Sequence, residues 1–370
     1  MTYEPGLVDY ADSAGKKKSN RGLKIILTIV VVIGVVGLLL LYFAIGIIIE
    51  YAQEIVSESE EGDGPEYGYR LDVNPDIFLD LGANRNGHSP SSSTPSFSST
   101  VFIEGTCISD SSYYCGGSGV VISPKWVLTA AHVAEDLDLS DTHVYLGSDY
   151  QNAESAIYVT SIYIPNSWNG ESDALDYDIA LLKLESSVNQ ENIAVWVGKE
   201  EDAGLLDVEI FISGFGDYDE EYAECGVACL DDQDGFFSQR RAWSNTLDRI
   251  TGSQSSGDGY IVYDFDGPTS GNNSLRRGSS GFSFDQGDFS YAGKGDSSSA
   301  PTDFEGTSVF GDSGGPIVAK IDDVWTVIAI TSHGSEYSDY GDVSFNTRVS
   351  IYFDWICSYS NSSEPISGCP

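Results

Sequence analysis

From Val101 onward the chain is a series of short apolar runs set between Gly, Ser, Asn and Asp. Val120-Val121-Ile122, Trp126-Val127-Leu128, Tyr145-Leu146, Ala156 to Val159, Ile179 to Leu182, Val208 to Ile212 and Val324 to Ile330 have strand length and β-branched content. They predict an all-β domain. Val349 to Ser358, with Ile351, Trp355 and Ile356 near helical spacing, predicts one short helix after the strands. Asp217 to Gly306 is rich in Gly, Ser and Asp and predicts long surface loops around a few strands, among them Gly259 to Asp266. No internal repeat is visible, which disfavours propellers and solenoids.

The pattern before Val101 is different. Ile25 to Ile49 carries no charged residue, and a helix of that length extends roughly 37 Å, enough to span a bilayer with some tilt. Lys16, Lys17, Lys18, Arg21 and Lys24 precede it and Glu50, Glu54, Glu58, Glu60 and Glu61 follow. The expected orientation is N-terminus in the cytoplasm and the remainder outside it, with the segment serving as an uncleaved signal anchor, since signal-peptide apolar regions are shorter. Residues 50–98 are polar and rich in small residues, as in a stalk that cannot bury enough surface to fold by itself, although Ile77-Phe78-Leu79 could dock on the domain that follows. The expected organisation is a cytoplasmic tail 1–24, a transmembrane segment 25–49, a stalk 50–98, a catalytic domain 99–358 and a C-terminal tail 359–370.

Composition narrows the partners. A formal charge of −39, with all the excess acid after residue 49, argues against nucleic acid and reads as a solvated acidic surface. The acidic stretch Asp136 to Glu154 is read in the same way rather than as a calcium loop. Six cysteines, at 107, 115, 225, 229, 357 and 369, all follow the apolar segment, which fits an oxidising compartment. They form three sequence-local couples, Cys107–Cys115, Cys225–Cys229 and Cys357–Cys369. A zinc site at Cys225 and Cys229 is disfavoured because no histidine or second cysteine pair lies near them. No metal and no cofactor is expected.

Three motifs carry chemistry: Thr129-Ala130-Ala131-His132, Asp178-Ile179-Ala180-Leu181-Leu182 and Gly311-Asp312-Ser313-Gly314-Gly315-Pro316. A serine hydroxyl is a poor nucleophile at neutral pH. It needs an imidazole to take its proton and a carboxylate to fix the imidazole's tautomer, and the chain offers one candidate for each role in the order His, Asp, Ser.

With Cys115 to Ser123, Trp126 to His132 and Ile212-Ser213-Gly214-Phe215-Gly216, these motifs make residues 101–357 resemble a trypsin/chymotrypsin-like (S1 family) serine protease. The resemblance implies two six-stranded antiparallel β-barrels with the cleft between them. It implies Ser313 as nucleophile, His132 as base and then acid, and Asp178 as its orienting carboxylate. It also implies an oxyanion hole from the amides of Gly311 and Ser313, and substrate binding by Ser332-His333-Gly334 and by Thr307 at the pocket base. His333 stands where the family has an aromatic residue, and Thr307 does not support pairing with a basic substrate side chain. Val133 replaces the family's cysteine after the histidine, so the resemblance pairs Cys115 with Cys107.

The family's apolar activation sequence is missing ahead of Cys115. In the family a freed N-terminus pairs with the aspartate before the nucleophile, here Asp312. Its absence leaves two expectations, maturation without that switch or an unrecognised cleavage site. Arg240-Arg241 and Arg276-Arg277 read as solvated loop charges, with processing sites as the alternative. Protein or peptide substrates outside the cytoplasm are expected. A silent homologue acting as a surface binding module and an esterase are the competing readings.

Overall fold

Burial is continuous from Thr100 to Ile103, where the first of six strands begins: β1 (Thr100–Thr106), β2 (Tyr114–Ser123), β3 (Trp126–Thr129), β4 (His143–Leu146), β5 (Ser155–Tyr163) and β6 (Ala180–Leu184). In the computed structural model, the described residues are 68–70, 72–170, 176–189, 191, 193–198, 204–216, 239–252, 259–268, 274–275, 283–284, 287–288, 297–334, 338 and 340–370. The Ile25–Ile49 segment, Cys225, Cys229 and Arg276-Arg277 lie outside them. Among the described residues no helix is long and apolar enough to cross a membrane.

The six strands close into a barrel in the order β1-β2-β3-β6-β5-β4. Every pairing in it is antiparallel. Val101, Ile103, Val121, Val127, Val144 and Leu182 fill its interior. A one-turn helix, α2 (Ala131–Ala134), leaves the end of β3, and a longer one, α1 (Asp76–Gly82), precedes the barrel.

The second half comprises β7 (Val195–Trp196), β8 (Glu209–Gly214), β9 (Arg241–Thr246), β10 (Arg249–Ile250), β11 (Tyr260–Asp264), β12 (Ser283–Phe284), β13 (Gly287–Asp288), β14 (Pro316–Ile321), β15 (Val324–Gly334) and β16 (Val343–Arg348). Seven of these run β10-β11-β16-β15-β14-β8-β9, β7 pairs in parallel with β15, and β12 and β13 form a separate two-stranded ladder. The expected second closed barrel is corrected to a half-barrel. Its end strands β9 and β10 are not joined by a ladder, because residues 304–306 lie along the free edge of β9. Ser244 N donates to Phe304 O at 2.8 Å, and Asn245 Nδ2 donates to Gly306 O at 3.1 Å and to Asp264 O at 3.0 Å. The predicted helix is realised as a 3₁₀ turn, Ser350–Tyr352, followed by α3 (Phe353–Cys357).

The described part of the expected stalk is packed on this domain. Phe78, Leu81 and Phe97 are buried in the same core as Phe211 and Trp243. Gly82 lies so close to β9 that a Cβ there would be 2.4 Å from Arg240 O. The docking expected of Ile77-Phe78-Leu79 is therefore the arrangement found. At the other end, the tail after α3 crosses to the first barrel. Ser123 Oγ donates to Pro365 O at 2.9 Å, Ser367 N donates to Ser123 Oγ at 3.0 Å, and Lys183 pairs with Glu364 at 2.5 Å. Disulfides Cys107–Cys115 and Cys357–Cys369 are formed as expected.

Candidate active site

His132 and Asp178 reach each other from neighbouring strands of the closed barrel. Thr129 at the end of β3 pairs with Ala180 at the start of β6, so the residues just beyond those ends, His132 on α2 and Asp178 before β6, meet at one rim. Tyr177 takes a left-handed conformation, φ 64°, and turns the chain into the barrel immediately before Asp178. That conformation costs a non-glycine residue roughly 1–2 kcal/mol.

Asp178 is fully buried and is held by three donors. His132 N donates to Oδ1 at 3.0 Å, His132 Nδ1 lies 2.8 Å from Oδ2, and Ser332 Oγ donates to Oδ2 at 2.5 Å. Burial alone would push the Asp178 carboxyl up, but these contacts outweigh it and hold the group below its ordinary value. For His132, burial opposes the charged form. The Asp178 charge and hydrogen bond outweigh that too, and the imidazole lies above its ordinary value of 6.5. A carboxylate at Nδ1 fixes the proton there and leaves Nε2 as the free lone pair.

Ser332 sits at a bulge in the ladder between β15 and β16, where Thr331 faces Asn346 and His333 faces Phe345. The extra residue turns its hydroxyl inward to Asp178. His333 Nδ1 is 3.0 Å from the same hydroxyl. Since that hydroxyl donates to the carboxylate, it accepts from His333 Nδ1–H. The His333 ring stacks on Phe345, centroids 5.0 Å apart, and burial pushes its pKa down to about 4. Gly334 is exposed at the end of β15 and faces Ser344.

Ser313 is brought against the same rim. Its carbonyl accepts from Ser118 N at 2.8 Å. A Cβ on Gly314 would lie 2.9 Å from Ala130 N, and one on Gly117 would lie 3.0 Å from both Ser313 O and a methyl of Val133. The Ser118 hydroxyl spans the two halves, donating to Gly311 O at 2.9 Å and accepting from Phe215 N at 2.9 Å. No hydrogen bond links the side chains of Ser313 and His132, both of them described residues; such contacts commonly tighten only when substrate is bound.

The turn holding Ser313 is shaped by Gly311, whose φ of 93° is a left-handed conformation that glycine adopts without steric cost. Asp312 N is spent on Val309 O, Gly314 N on Thr331 O and Gly315 N on Asp312 O. The amides of Gly311 and Ser313 donate to no acceptor among the described residues. Two unspent N–H groups beside a serine are the donor set that a developing oxyanion needs. Behind them Asp312 is buried, its Oδ1 accepting from Gly216 N at 2.8 Å. Only glycine fits at 216, where a Cβ would be 2.6 Å from the Asp312 carboxyl carbon.

A family model described as Trypsin matches residues 86–228 and 286–356, more than half of the chain. The chain belongs to the trypsin family. It is 34% identical over 107 residues to the protein named Trypsin from Simulium vittatum, a stretch covering 28% of this chain and 42% of that one. Chymotrypsin-like elastase family member 1 from Bos taurus is 34% identical over 115 residues, covering 29% and 42%. Hypodermin-B from Hypoderma lineatum is 30% identical over 112 residues, covering 30% and 42%. These matches therefore span less than half the length of each relative. A solved HL collagenase structure aligns with 71% of this chain and 93% of its own at 20% identity and a TM-score of 0.46.

In this trypsin-family chain, Thr307 is buried, and its hydroxyl lies 2.8 Å from Ser344 Oγ. Nearby Glu305 is buried and accepts from Thr302 N at 2.7 Å. Arg240 and Arg241 are not loop charges. Both are buried at the start of β9, Arg240 donating to the carbonyls of Gly82, Thr100 and Gly147, and Arg241 to Asp312. Neither the solvated-charge reading nor the processing-site reading of that pair fits this burial.

Proposed function

We propose that the chain is a serine endopeptidase in which Ser313 is the nucleophile, His132 the general base and acid, and Asp178 the orienting carboxylate. The observation that carries this reading is the buried Asp178 bonded at 2.8 Å to His132 Nδ1, with Ser313 and two unspent amides on the same rim. His132 Nε2 takes the Ser313 proton as Oγ attacks the scissile carbonyl. Asp178 stabilises the resulting imidazolium, and Gly311 N–H and Ser313 N–H receive the oxyanion. His132 then protonates the leaving amine, and water attacks the acyl-enzyme by the same route in reverse.

Thr307 offers no charge to a substrate side chain, so the reading favours an uncharged residue ahead of the scissile bond. Backbone groups of Ser332 to Gly334 supply the edge on which an extended peptide would pair. The two disulfides and the apolar Ile25–Ile49 segment support action outside the cytoplasm on protein or peptide substrates, from a single membrane anchor.

The test is fluorophosphonate labelling of the full chain beside Ser313→Ala, with the labelled peptide identified by mass spectrometry. Label at Ser313, absent from the variant, is expected. No label on a folded chain would favour a silent binding module. Ester turnover without peptide turnover would favour an esterase.

A further inference from the structure

Asp312 and Arg241 form an ion pair in which neither side chain is exposed to solvent. Arg241 opens β9, its backbone paired with Gly214 on β8. Its guanidinium lies on the Trp243 ring, 4.3 Å from the centroid, and Nη2 also donates to Thr307 O at 3.1 Å. Nη1 donates to Gly68 O at 3.5 Å. The carboxylate receives Val309 N at 2.9 Å and Gly216 N at 2.8 Å besides the guanidinium.

The geometry points to Arg241 as a positioning residue: a cation built into β9 that holds Asp312, and through it the turn 309–313, so that the Gly311 and Ser313 amides stay aimed at one point with no cleavage of the chain. This rests on the acyl-transfer reading of Ser313 given above. A buried carboxylate without a counter-charge is costly, and breaking a buried pair by removing one partner is more damaging than never having built it. The resemblance implies a freed N-terminal ammonium in this role, and here the place is taken. Gly68 closes over the pair: Thr307 N donates to its carbonyl at 2.9 Å, and a Cβ on it would lie 2.7 Å from a methyl of Val309. The segment ahead of the barrel is thus part of the pair's cover, where the family's activation requires that an end be released.

The experiment uses the full 370-residue chain, with intact mass and fluorophosphonate labelling read on the same molecules. Label at Ser313 on uncleaved chains is expected. Label confined to N-terminally trimmed chains would overturn the role of Arg241 while leaving acyl transfer standing. Absence of label on cleaved and uncleaved chains alike would sink both. In variants, Arg241→Gln is expected to slow acylation by about 100-fold, the order seen when an oxyanion donor is lost, with KM changed less than about threefold, and Arg241→Lys to recover a substantial part. Arg241→Gln/Asp312→Asn leaves no buried charge and serves where the single variant does not fold. Acylation by the folded double variant at the parental rate would also overturn the inference.

Discussion

Ser332 Oγ and Asp178 Oδ2 lie 2.5 Å apart, and this contact joins the His132 pair to His333 in one run of hydrogen bonds. Ser332→Ala removes one of three donors to a buried carboxylate and leaves His333 Nδ1 without the hydroxyl. A hydrogen bond to a charged group is worth about 1.5–3 kcal/mol, so kcat on a peptide substrate should fall on the order of tenfold or more with KM little changed. An unaltered kcat would show that two donors suffice to hold Asp178.

The pH profile should belong to His132 and not to His333. In the proposed mechanism His132 must be neutral to accept the Ser313 proton, and its pKa lies above 6.5 because the Asp178 contacts outweigh burial. Activity should therefore rise with pH, the acid limb of kcat/KM inflecting above 6.5. His333, with its pKa pushed down to about 4 by burial, is already neutral there. His333→Phe should keep the stack on Phe345 and the same limb; a displaced limb would reassign the titrating group.

Most of this site is legible in the sequence because short motifs fix backbone as well as chemistry. Gly311 needs its left-handed turn, Gly216 must admit the Asp312 carboxyl, and His132 follows a strand end, so residue types and positions were tied together. The Ser332 hydroxyl was not legible in its role, because its inward turn comes from a bulge that no residue type signals. Arg241 was hidden for another reason. It sits after a Gly- and Asp-rich stretch with no strand period, and an arginine pair there looks like surface charge. The one signal available was indirect: a buried aspartate whose usual counter-ion was missing. The half-barrel also escaped, since residues 304–306 carry no strand pattern and take the edge of β9 through hydrogen bonds alone.

Stability should fall as pH rises through neutrality. Burial pushes Glu305 up from 4.5 to about 8, against hydrogen bonds from Thr302, and burial with the nearby Asp264 pushes Asp266 up to about 8. Buried Asp248 and Asp264 are shifted in the same direction. A raised carboxyl keeps its proton in the folded state and releases it on unfolding. Its contribution is therefore complete below about 4.5 and lost as pH climbs through about 8. Thermal melts should show a more stable protein at pH 5 than at pH 8. Glu305→Gln should flatten the slope by about 1.4 kcal/mol per pH unit in that window, and an unchanged slope would remove Glu305 from the account.

The segment ahead of the barrel should behave as core. Leu81 is fully buried with Phe78 against the second half, and Leu→Ala at such sites costs about 2–5 kcal/mol. Chemical denaturation of Leu81→Ala in the full chain should show a loss of that size. A loss near zero would return residues 76–82 to a stalk.

The tail that crosses from α3 to Ser123 sets a schedule for the newly made chain. Ser123 and Pro365 are 242 positions apart, so the first barrel leaves the ribosome long before the residues that fasten it to the second half. Contacts of such separation form late. Until Glu364 to Ser367 arrive, the two halves lack this clasp. The fastening of one half to the other is thus the last of these contacts to become available as the chain is made.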